Sequence, residues 1–130
     1  MLDIIKHIKV DEKEYPVAFT FNVMESVQEK YGSMKEWGEV FQPSSGEPRI
    51  KDLKWTMKEF INEGIDIENE EKGERRAFVT EKQVGRLISC IGLSEITSAI
   101  QNVTVESMVT NEKNEKTTQM TEADREMEIA

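Results

Sequence analysis

The residue types that most often carry chemistry are scarce in this 130-residue chain, which holds one histidine and one cysteine. His7 stands between Lys6 and Ile8 in a stretch of strand-like alternation and has no second histidine to share a metal. A lone histidine on an edge strand is expected to be solvated, so no zinc site is predicted. Cys90 sits in an apolar helical run, where a free thiol is expected to behave as a small hydrophobe, and a single cysteine excludes a disulfide framework and favours a reducing compartment. Glu68, Glu70, Glu71 and Glu74 crowd together without the alternating Asp pattern and glycine of a calcium loop, and read as a solvated charge run. There is no Gly-x-Ser-x-Gly, no Cys/His pairing and no phosphate loop. The expectation is a protein with no catalytic residue, no cofactor and no metal.

The aromatic residues are the remaining candidates. Trp37 and Phe41, four apart, suit the face of a helix covering a sheet, and Trp55 falls roughly opposite the apolar stripe of its own helix. Trp55 is then either covered by a second element or exposed. Because tryptophan and phenylalanine are enriched in protein interfaces, Trp55, Trp37 and Phe41 are the partner-binding candidates.

These residues are positioned by elements that announce themselves through periodicity and punctuation. Ile4, Lys6, Ile8 and Val10 predict a first strand, Asp11 to Glu14 a polar turn, and Tyr15, Val17, Phe19 and Phe21 a second strand with one buried face. Pro16 is expected on an outer edge or at the strand start. At Asn22 the period changes to that of a helix: Asn22 with Glu25 predicts a capping box and Gly32 a stop. Ser33 with Glu36 opens a second helix carrying Trp37, Val40 and Phe41. After the loop PSSGEP, a third helix carries Ile50, Leu53, Met57, Phe60 and Ile61 and is expected to end at Gly64, with Asp66 to Arg76 a mobile charged loop. Thr80 and Gln83 form the most complete start signal, with Val79 and Val84 as a staple; Val84, Leu87, Ile88 and Ile91 are its predicted buried stripe and Gly92 its end. Ser94 is expected to cap a last helix buried through Ile96, Ala99, Ile100 and Val103 and continuing weakly to Met108, since Thr104 and Val105 are β-branched.

The predicted fold class is α+β: an N-terminal hairpin packed on four to five helices, forming one domain over residues 1–109, with a flexible acidic tail over 110–130. The formal net charge of −9 repels phosphate backbones, so nucleic acid is not expected as a partner. Neither a signal peptide nor a membrane span is predicted, and a cytoplasmic location is expected.

In their order, the hairpin ending in YPVAFTF, the helix closing at EKYGSMKEW, the helix DLKWTMKEFINEG, the charged loop, the TEKQVGRLI helix and the segment IGLSEITSAIQNV bring out a resemblance. Over about residues 8–108 the chain resembles the small tail assembly chaperones of long-tailed bacteriophages and prophages. The resemblance implies a non-enzymatic assembly factor that binds the phage tape measure protein, keeps it soluble while the tail tube forms, helps recruit tube protein, and is absent from the finished virion. It carries no catalytic residues, and it assigns no partner-binding residue in this sequence. A small acidic adaptor domain and a head-to-tail joining protein are the alternatives, and self-association is left open.

Overall fold

A computed structural model of the chain describes residues 5–41 and 46–119, with side chains through Met108. Two antiparallel strands, β1 (Lys6–Val10) and β2 (Lys13–Val17), open the chain. They are followed by α1 (Phe21–Tyr31), α2 (Met34–Gly38) with a 3-10 turn at Glu39–Phe41, α3 (Ile50–Lys72), α4 (Glu81–Ile91) and α5 (Leu93–Gln119). This is the α+β hairpin-and-helices class read from the sequence.

The hairpin is tighter than expected. Val10 pairs directly with Lys13, so the turn is Asp11–Glu12 alone, and Asp11 takes a positive φ of 55°, as two-residue hairpin turns require. Ile4 lies outside the described residues. The ladder places Ile8 opposite Tyr15 and His7 opposite Pro16. Because side chains alternate across a strand, one face carries Ile8, Tyr15 and Val17 and the other His7 and Pro16.

The second strand stops four residues before its predicted end. Ala18 donates its N–H to the carbonyl of Phe60 in α3 at 3.0 Å, leaving the ladder for a helix. Thr20, rather than Asn22, caps α1: its hydroxyl accepts from Val23 N–H at 3.4 Å and donates to Glu63. Phe21 consequently opens the helix and is exposed, whereas Phe19 is fully buried. Gly32 ends α1 at φ 89°, and Ser33 caps α2 by accepting from Glu36 N–H at 3.1 Å.

The larger correction concerns Gly64, which is an interior residue of α3. A Cβ built on it would lie 2.6 Å from the carbonyl carbon of Pro16 and 2.9 Å from the nitrogen of Val17. Glycine is there because the β2 backbone rests directly on the helix. The helix runs on to Lys72, where Gly73 caps it in the left-handed conformation at φ 66°. The charged stretch read as the start of a loop is therefore two further helical turns. Glutamate and lysine are good helix formers, Glu68 and Lys72 pair at 3.6 Å at the i,i+4 spacing, and Ile65 is fully buried.

The rest of the predicted loop is extended and tied down. Asn69 donates to the carbonyl of Arg76 and accepts from its N–H, both at 3.0 Å. Seven residues earlier on α3, Asn62 does the same for Val79, at 3.0 and 2.8 Å. Two amide side chains, two helical turns apart, thus pair with the linker as a neighbouring strand would. Thr80 and Gln83 then close the predicted capping box of α4, at 2.9 and 3.2 Å.

On α4 the expected stripe is buried at Val84 and Ile88, while Leu87 and Ile91 pack against the core only half-buried; Cys90, expected to behave as a small hydrophobe in an apolar run, is exposed. Gly92 ends α4 and its carbonyl accepts Ile96 N–H at 3.1 Å, so α5 starts at Leu93 without using Ser94 as its cap. The backbone of α5 is helical ten residues beyond the expected domain boundary at 109, and residues 120–130 of the predicted tail lie outside the described residues.

The close approach at Gly64 is testable. Gly64→Ala should destabilise the fold by about 2 kcal/mol or more, since the new methyl meets backbone rather than a flexible side chain. Gly38→Ala, where a Cβ meets nothing within 4 Å, should be neutral or stabilising by about 0.5 kcal/mol. Urea unfolding midpoints of the two variants and the wild type check this.

Candidate functional site

Two of the three predicted contact residues meet at one place. Phe19, delivered to the core by the early exit of β2, lies parallel to Trp37 with ring centroids 6.0 Å apart and meets Phe60 at 5.5 Å. The indole N–H of Trp37 donates to the Thr56 hydroxyl at 3.0 Å, both residues being buried. At 4% exposure Trp37 is a core residue, and a buried indole with its one donor satisfied has low energy in a single orientation. That orientation sets its neighbour: Phe41 meets the Trp37 ring edge-on at 5.2 Å and is only partly buried.

Above this pair lies a groove of about 320 Å³ between α2, the 3-10 turn and α5, lined by Met34, Trp37, Phe41, Thr104, Val105 and Met108 among others. Ile96, Ile100 and Val103 seat α5 on the core, and Thr104 satisfies its buried hydroxyl by donating to the Ile100 carbonyl at 2.8 Å. Val105 and Met108 are on the rim, 59% and 38% exposed. None of the described residues lining the groove is charged. Its chemistry is that of an apolar slot with an aromatic floor, suited to the apolar stripe of a helix.

Trp55 is elsewhere. Its ring meets Tyr31 edge-on at 5.6 Å, and the Lys30 ammonium lies 5.2 Å from its centroid. The second element left open by the sequence is therefore the end of α1, and Trp55 is half-covered by it. Tyr31 in turn donates to Asp52 at 2.5 Å, and Arg49 holds the other Asp52 oxygen at 2.9 Å. Burial, with the bond to Asp52 behind it, holds the Tyr31 phenol well above its ordinary pKa. This cluster fastens α1 to α3.

The polar residues singled out for chemistry are scattered. His7 is not simply solvated: its Nε2 lies 2.7 Å from Glu68 Oε2, joining β1 to the last turns of α3. Among the described residues no group of three or more His, Cys, Asp or Glu could hold a metal, and no helix is long and apolar enough to cross a membrane. Met108, expected as a weak continuation of the Ile96/Ala99/Ile100/Val103 stripe, is instead on the groove rim; Val105 is not singled out by the sequence as a contact residue, and its one available signal is that it falls off that stripe while still being apolar. No protein-family model, curated protein or solved structure matches the chain.

The Tyr31 cluster carries a pH dependence of known sign. A phenol whose pKa is higher folded than unfolded contributes stability that is fully present below the unfolded value of about 10 and is lost as pH rises above it. Tyr31→Phe should be less stable than wild type by about 1 kcal/mol at pH 8, and the gap should narrow above pH 10. Denaturant titrations at the two pH values measure it.

Proposed function

We propose that the chain is a non-enzymatic tail assembly chaperone of a long-tailed bacteriophage or prophage, acting in the host cytoplasm. It holds the helical tape measure protein in solution until tube protein assembles around it, and it does not remain in the virion. The single observation carrying this reading is the uncharged groove over Trp37 and Phe41, in a chain whose net charge is −9. A client helix with an apolar stripe loses its exposed surface in such a slot, while the acidic exterior keeps the complex dispersed. The ordered motifs from YPVAFTF to IGLSEITSAIQNV, which resemble that family, supply the identity of the client.

Val105 and Met108 are the residues to test, because both are exposed and neither supports the core. The double variant Val105→Glu/Met108→Glu should melt within a few degrees of wild type, as surface changes shift stability by about 0.5 kcal/mol or less. In co-expression with the tape measure protein of the same genome, wild type should raise the soluble client several-fold, and the double variant should abolish most of that gain. Trp55→Ala should cost about 1 kcal/mol of stability through its ring contact and leave client solubility unchanged. Failure of the wild type to solubilise or co-purify with the client would overturn the chaperone reading in favour of a general adaptor.

A further inference from the structure

A second groove, about 360 Å³, is built quite differently. Its walls are Lys13 and Tyr15 of β2, Arg76 to Val79 of the linker, and Gln83, Arg86 and Leu87 of α4. The linker wall is held in place by the Asn62 and Asn69 clamps. Arg76 is also fixed, its guanidinium 5.1 Å from the Tyr15 ring centroid and its Nη2 donating to the Glu14 carbonyl at 3.0 Å. Phe78 stands in this groove 57% exposed. Among the described residues no carboxylate lines it, and none of Lys13, Arg76 and Arg86 belongs to an ion pair. Phe78 also borders a separate hollow lined by Glu59, Glu63 and Asp66; within the groove itself, in a chain with nine more acidic than basic residues, three cations are a local reversal of the overall field.

We propose that this groove binds residues 120–130 of a second copy of the chain. That segment, MTEADREMEIA, opposes Glu122, Asp124, Glu126 and Glu128 to a single Arg125. Met120, Ala123 and Met127 fall on one face at helical spacing, suited to Phe78, Tyr15 and Leu87. A segment this short does not hold a helix alone and gains one by docking. Reach decides which copy supplies it. The helices α4 and α5 meet at Gly92, and the 27 residues of α5 carry the chain about 40 Å onward, whereas residues 120–130 as a helix span only about 16 Å. The segment cannot return to the first turns of its own α4, so another copy delivers it. The contact is head-to-tail, and it generates open chains or rings whose size depends on concentration.

Sedimentation velocity of the full chain over a wide concentration range tests this. Wild type should form species larger than a monomer, with self-association weakened about tenfold or more between low salt and about 0.5 M salt, as screened charge contacts require. Arg76→Glu/Arg86→Glu should be monomeric. Combining it with Glu122→Lys/Asp124→Lys/Glu126→Lys/Glu128→Lys should restore association, which a merely damaged fold would not do. If Arg76→Glu lowers the melting temperature through loss of the Glu14 contact, Phe78→Ala/Arg86→Glu gives the same reading with that contact intact. A synthetic peptide of residues 118–130 should dissociate the wild-type species. A monomer at every concentration, association indifferent to the segment's charge, or a segment that protects groove amides from exchange in a monomer would each overturn the proposal. Client solubility in the co-expression assay is read separately and does not depend on this result.

Discussion

The backbone of β2 lying against α3 at Gly64 is the contact on which the other elements depend. A two-stranded hairpin is not stable alone in water, and here it is supported by direct backbone contact with the long helix. Three features of β2 suit that approach. Alternation along the strand puts the nitrogen of Pro16 on the same edge as Ala18 N–H, which faces α3. Proline has no hydrogen there to be left unpaired, while Ala18 finds the Phe60 carbonyl at 3.0 Å. Gly64 removes the one side chain that would hold the two apart. Every larger residue at 64 would push the hairpin off the helix and take Phe19 with it.

Phe19 transmits this placement to the groove. Once the strand ends early, Phe19 enters the core between Phe60 of α3 and Trp37 of α2, and the Trp37 to Thr56 hydrogen bond fixes how far α2 can rotate. The position of Phe41 follows from the edge-on contact with Trp37. The slot under α5 is therefore a consequence of core packing rather than of a flexible surface, and its floor is pre-organised for an apolar partner. On the other side of α3, Asn62 and Asn69 hold the linker and so set Arg76 and Phe78. One helix thus positions both grooves.

How much of this was legible follows from what each residue's signal can distinguish. Ser33, Thr80 and Gly32 act locally, through bonds within four residues, and their roles were readable. Gly64 was not, because a glycine that ends a helix and one that admits a neighbouring backbone look alike in a sequence; only the position of Pro16 separates them. Reading Gly64 as a stop then turned Asp66 to Lys72 into a loop, although its glutamates and lysines favour a helix. Thr20 displaced Asn22 as the cap because Ala18 had left the ladder for Phe60, a contact forty residues away in sequence. Leu87, Ile91 and Cys90 matched a helical period but lie where α4 is only partly covered. The Asn62 and Asn69 clamps carry no signal beyond a seven-residue spacing.

The exposed large apolar residues sort by cause, and the sorting bears on function. Phe21, Ile50 and Leu93 are the first residues of α1, α3 and α5. A helical side chain leans toward the N-terminus, so at the first position it points past the end of its helix, and exposure there follows from where the helix begins. Phe78, Val105 and Met108 have no such explanation. Phe78 stands in a linker whose backbone is clamped on both sides of it, and Val105 and Met108 lie within a helix beside buried Thr104 and Ser107. A polar residue at any of these positions would leave the clamps and the core contacts intact. The apolar residues whose exposure no helix start accounts for all line concavities, Val105 and Met108 the uncharged groove and Phe78 both the cationic groove and the hollow beside Glu59, Glu63 and Asp66, and this coincidence of unexplained exposure with concavity separates a binding surface from ordinary apolar scatter.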